Sequence, residues 1–143
     1  MINYNQPLPK QTILQDLQMK EINPIMKLIL RGKKRDFVSA VGKSLNILLP
    51  TEANTSTQSD KLTALWLSPD EWMIFSNEPV DENTNNYETE KLLNNNVSKL
   101  NLGAIVDVTD QFVMISLKGN KIYELFQAGS PFNFNHFQNK KGA

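Results

Sequence analysis

At 143 residues the chain has the length of one domain and can bury roughly two-thirds of its unfolded surface. Its apolar content of 40% supports one core, and it has no cysteine, which excludes disulfides, Cys-ligated zinc, iron–sulfur clusters and thiol nucleophiles. The 15 basic and 15 acidic residues sum to a net charge of zero, without the basic excess with which a nucleic-acid binder neutralises phosphates.

Residues Met1 to Asn23 read as an irregular arm with a helical turn around Ile13 to Leu17. The first ten residues are polar and include Pro7 and Pro9, so they lack a signal peptide's apolar core. No run approaches the ~20 apolar residues that span a bilayer. A soluble, cytoplasmic protein without membrane contact is expected. The run Ile25 to Leu30 is short, mostly apolar and ends at Arg31-Gly32, as a buried strand does. From Lys33 to Leu45, Phe37, Val38, Val41 and Leu45 recur at three- and four-residue spacing, predicting an amphipathic helix. Gly42 weakens that helix. Its basic start, Lys33-Lys34-Arg35, reads as a solvated helix end, with an anion site as the sharper alternative. Asn46 to Pro50 is a short extended piece.

Residues 51–60 are polar and predict a mobile loop. Leu62 to Leu67 and Trp72 to Phe75 are strands, joined by Ser68-Pro69-Asp70-Glu71, a turn in which proline pre-sets one torsion and the Ser and Asp side chains can bond nearby amides. The result is a hairpin with Trp66 and Trp72 on its two arms. A second mobile loop is expected over 79–86. Tyr87 to Leu100 predicts a helix despite Asn94-Asn95-Asn96. Ala104 to Thr109 and Phe112 to Leu117 read as a second hairpin turning at Thr109-Asp110-Gln111. Asn120 to Ala128 predicts a helix stopped by Gly129, and a polar tail follows.

Two segments share one plan. Leu30-Arg31-Gly32 leads into a helix, with Gly42 ten residues after the first glycine. Leu117-Lys118-Gly119 leads into a helix, with Gly129 at the same interval. Each glycine is expected to relieve a tight strand-to-helix corner. Two such units around hairpins predict an α+β fold of ferredoxin-like split β-α-β type, with helices on one face of an antiparallel-rich sheet. The arm 1–23 would precede a single domain over 24–143. Its last helix has no returning strand, so the domain is expected to be incomplete at the C-terminus, or completed by a partner, and to be poorly stable or to self-associate when isolated.

The residues show no catalytic constellation. The single histidine, His136, lies in the polar tail without a visible partner. Acidic residues are scattered, with Asp70 and Glu71 in a turn and Asp107 and Asp110 around a hairpin, so no metal cluster is expected. Asp107 alternates with Val106 and Val108. It reads as exposed or paired, or alternatively as a base or a ligand for an amine. Gly32, Gly42, Gly119 and Gly129 are isolated and form no phosphate loop. Ser68 and Ser116 have no nearby histidine, so no hydrolytic triad is expected. Trp66 and Trp72 read as packing residues before cofactor contacts. Catalytic, cofactor-binding and metal residues are therefore all expected to be none.

Three blocks carry a resemblance. Ala64-Leu65-Trp66-Leu67-Ser68-Pro69-Asp70-Glu71-Trp72 is similar to a Leu-Trp-Leu-Gly-Pro-Asp-Glu-Trp stretch of the gamma subunit family of heterotetrameric sarcosine oxidase. Val106-Asp107-Val108-Thr109-Asp110-Gln111, with Ile115-Ser116-Leu117-Lys118-Gly119, resembles that family's second block. Gly129-Ser130-Pro131-Phe132-Asn133-Phe134-Asn135-His136 resembles its third, with Ser130 in place of Cys and Asn133 in place of Asp. Family members continue for another strand and helix, so the resemblance too implies an early end.

It implies a fold like a reduced folate-binding domain of aminomethyltransferases. It also implies a non-catalytic subunit partnered by alpha, beta and delta subunits. On those partners FAD, FMN, NAD and tetrahydrofolate would serve the demethylation of sarcosine to glycine, with hydrogen peroxide as co-product. The alternatives are a standalone folate-dependent one-carbon transferase using Asp107 or Asp110, or an adaptor for another enzyme.

Overall fold

The structure is a computed structural model and describes residues 6–8, 12–14, 16–79 and 87–134. In chain order the elements are β1 (Thr12–Leu14), β2 (Leu17–Glu21), β3 (Lys27–Arg31), α1 (Arg35–Leu45), β4 (Ser56–Gln58), β5 (Leu62–Ser68), β6 (Glu71–Ser76), α2 (Tyr87–Leu93), a π-helical turn (Asn94–Ser98), β7 (Ala104–Asp107), β8 (Ile115–Lys118) and α3 (Ile122–Gly129). The described residues fall into two compact units. Those within Met1–Asn23 and Val113–Lys141 form one, and those within Pro24–Phe112 form the other.

The second unit is a five-stranded sheet in the order β4-β5-β6-β3-β7, and every neighbouring pair is antiparallel. The path β3-α1-β5, then the β5–β6 hairpin, then β6-α2-β7 makes two split β-α-β crossovers. In each crossover two parallel strands flank a third that runs against them. This is a ferredoxin-like arrangement, as the sequence predicts, with β4 added at one edge, but its second crossover runs through α2 and not through the Leu117-Lys118-Gly119 corner, whose β8 and α3 belong to the other unit. β4 lies inside the segment 51–60, where a loop is expected. Its Ser56, Thr57 and Gln58 pair with Leu65, Ala64 and Thr63. The Thr57 hydroxyl also donates to the Leu48 carbonyl.

Alternation along the strands decides which residues meet the helices. Leu28 and Leu30 on β3, Ala64 on β5, and Trp72 and Ile74 on β6 are all buried and share one face. Phe37 and Val41 of α1, with Leu93 and Val97, cover that face in one core. Each such Leu, Ile or Phe contributes roughly 1.5–3 kcal/mol by leaving water. On the opposite face Leu65, Met73, Ile29 and Val106 stand in register across four strands. α1 continues through Gly42, where an added Cβ would stand 3.4 Å from the Ile47 carbonyl. The helix ends at Asn46 in the left-handed conformation, φ 50° and ψ 43°, which asparagine tolerates better than most residues.

The first unit is a three-stranded antiparallel sheet, β1-β2-β8, with α3. Residues 12–14 and 17–21 form a hairpin in the segment read as an irregular arm with a helical turn. The alternation Leu17, Met19, Glu21 carries the strand signal, and β8 supplies the partner that an isolated pair would need. Two further expectations are corrected, and the stop of the last helix at Gly129 is borne out. β7 and β8 do not form a hairpin, since β7 pairs with β3 and β8 with β2. The helix from Tyr87 becomes π-helical at Asn94, where three asparagines lower α-helix propensity. Gly129 ends α3 from within its last turn, and the extended Ser130 follows. Residues 80–86 and His136 lie outside the described residues.

Candidate functional site

The end of β7 and the following turn hold the residues singled out for chemistry, and each has structural work. Asp107 is exposed, and its Oδ1 accepts from the Thr109 amide at 2.8 Å, an Asx-type turn bond. Asp110 lies in the turn closed by the Gln111 amide donating to the Val108 carbonyl at 3.0 Å. The Val108 amide donates to the Lys27 carbonyl at 2.9 Å, and the Lys27 amide donates to Thr109 Oγ1 at 3.1 Å. The turn is thus tied to the start of β3.

Lys27 itself was not legible as a site residue. It is buried, and its Nζ donates to the Ile25 carbonyl at 3.0 Å. Burial lowers its pKa below the usual lysine value, while Asp110 and, more weakly, Asp107 pull it back up. The visible signal was a lysine inside the apolar run Ile25-Met26-Lys27-Leu28.

The polar groups of the Ser-Pro-Asp-Glu turn are engaged as well. Ser68 Oγ donates to Asp70 Oδ1 at 2.9 Å, and the Lys33 ammonium lies 3.6 Å from Asp70 Oδ2. The Asp70 pKa is lowered first by the Ser68 hydrogen bond and then by Lys33 and Arg31. Trp72 is core, as expected. Its indole N–H donates to the Pro50 carbonyl at 2.7 Å, and its ring stacks on Phe37 with centroids 5.8 Å apart. Trp66 lies opposite it across the hairpin. Ser130 Oγ accepts from the Phe132 amide at 3.2 Å, a turn bond of its hydroxyl after α3. Among the described residues no group of three His, Asp or Glu could hold a metal ion, and no helix is long and apolar enough to cross a membrane.

The described surface also carries exposed apolar groups. Leu48 is 80% exposed and Leu100 62% in the five-stranded unit, and Val106 of the sheet row is half exposed. In the other unit α3 buries none of its residues. Phe126 stacks on Phe134 at 5.0 Å, and Phe132 meets Phe134 edge-on at 5.1 Å. Exposed apolar groups in such clusters mark interaction surfaces.

The model of the sarcosine oxidase gamma subunit family matches residues 31–140. The chain belongs to that family. The match starts at the β3–α1 corner and takes in the whole ferredoxin-like body after it. Among solved structures, the chain is similar in fold to one from the heterotetrameric sarcosine oxidase of Corynebacterium sp. U-96 in complex with pyrrole 2-carboxylate, with a TM-score of 0.70 and 17% identity. The similarity covers 82% of this chain and 57% of that one, so the chain spans little more than half the length of its structural relative. No curated protein matches it by sequence.

Proposed function

We propose that this gamma-family chain is a non-catalytic subunit of a heterotetrameric sarcosine oxidase-like complex, bracing its large subunits. The observation that carries the reading is the family match over residues 31–140. It is supported by how the candidate polar groups are employed. Asp107 is engaged by a turn amide, Ser68 by Asp70, and the Trp72 indole by the Pro50 carbonyl. In this reading alpha, beta and delta subunits are the partners, and FAD, FMN, NAD and tetrahydrofolate belong to them. The reaction they would carry out is oxidative demethylation of sarcosine in the cytoplasm.

Co-expression of a tagged full chain with alpha- and beta-type large subunits tests the proposal. A stable complex that survives purification is expected, and consistent failure to co-purify would contradict it. Calorimetry of the isolated chain with tetrahydrofolate tests the transferase alternative. No saturable binding is expected. Tight binding abolished by Asp107→Asn would replace the scaffold reading with a one-carbon transferase.

A further inference from the structure

The corner after β3 places four cations within five residues, Arg31, Lys33, Lys34 and Arg35, and all four are exposed. Their counter-charges lie beneath them. The Asp70 and Glu71 side chains are each 28% exposed, against 83% for Lys33 and 64% for Arg31, and the two ion pairs are long, at 3.6 and 3.9 Å. Of the corner's carboxylates only Asp36 stands in the exposed layer. The surface presented outward is therefore cationic, although the chain as a whole is neutral.

Two of these cations work against the fold. Lys34 occupies the N-cap of α1 in extended conformation, with no side-chain cap bond, where Ser, Asp or Asn would satisfy a free amide. Lys34 and Arg35 also sit at the positive end of the helix dipole, which favours anions. The backbone of the corner is nonetheless tied down. The Gly32 amide donates to the Asp70 carbonyl at 3.0 Å, and the Phe37 ring lies directly against Gly32. On the adjoining β5–β6 turn Leu67 and Pro69 are exposed and supply apolar contact beside the charge.

We propose that this basic corner is a docking surface for an acidic patch on another subunit of the complex. Carboxylates from the partner would offset Lys34 and Arg35 and so relieve a strain that the free chain carries. The inference rests on the subunit reading above and adds to it where on the chain the contact is made.

The test compares assembly of the full wild-type chain with its large subunits against two variants, Lys34→Asp/Arg35→Glu and Lys34→Gln/Arg35→Gln. Each is measured at low salt and at about 0.5 M NaCl, where screening is short-ranged. Wild-type affinity should fall with salt. The reversed pair should bind at least ~10-fold more weakly at low salt, with the neutral pair intermediate. The free reversed-pair chain should melt at or above the wild-type temperature, because acids suit a helix start. Equal affinity and salt dependence for all three chains would overturn the proposal, and so would a reversed pair that melts below wild type. A wild-type chain that does not assemble at all would overturn the subunit reading itself, whatever the variants do.

Discussion

Phe37 shows how single residues fix this fold. Its ring is buried and occupies the space where a Cβ would stand on Gly32 or on Gly103. Gly32 does not have a positive φ, so close approach is what requires it, not backbone torsion. Gly32→Ala, whose new Cβ would meet only the Phe37 ring, should lower stability by about 1–3 kcal/mol through overpacking. Phe37→Leu in the same chain should recover part of that loss, and a double-mutant cycle by urea denaturation measures the coupling. Lys27 gives a pH signature. Its folded-state pKa is lowered chiefly by burial. Between that lowered value and the unfolded value the unfolded chain holds a proton that the folded chain has released, so stability from this group rises with pH. The stability of wild type minus that of Lys27→Met should therefore increase from neutral pH toward pH ~10, as read by denaturation at a series of pH values. A flat difference would contradict the assignment. Neither role was legible from sequence, since both depend on what the third dimension brings beside the residue.

At the scale of elements, the two Leu-basic-Gly corners were legible as strand-to-helix junctions, and both are. β3 leads through Gly32 into α1, and β8 through Gly119 into α3. Their glycines serve different ends. Gly119 has φ +139°, and a Cβ there would collide with the Asp16 carbonyl. Gly129, its apparent counterpart to Gly42, has nothing within 4 Å. Gly119→Ala should thus destabilise by roughly 1–3 kcal/mol, while Gly129→Ala should be neutral or stabilising by up to ~1 kcal/mol, as thermal melts of the two variants would show. The β5–β6 hairpin was legible because alternation and a proline turn agree there. Pairing of β7 and β8 was misread because adjacency in sequence suggested a hairpin. The ladder partners of β7 and β8, β3 and β2, lie far along the chain, and nothing local to the strands names them. β4 was hidden for a similar reason, since Ser56-Thr57-Gln58 has no apolar signal and owes its extension to pairing with β5.

For the whole molecule, the three resembling blocks and the missing constellation set the functional reading before any fold was visible, and the family match over residues 31–140 agrees with the subunit it implied. The division into two units was not legible, because the chain enters one, passes through the other and returns, a path that periodicity does not record. α3 has no buried residue, and Leu125, Phe126 and Phe132 are exposed. The isolated chain should accordingly self-associate, with light scattering that rises with protein concentration and a melting temperature that depends on it. A concentration-independent monomer would contradict this. The central claim is that the chain acts as a bracing subunit. Its most direct test is the mass, by size-exclusion chromatography with light scattering, of the large subunits purified with and without this chain. The account predicts a heavier, single assembly containing the chain in fixed stoichiometry. An unchanged mass, with this chain eluting separately, would contradict it.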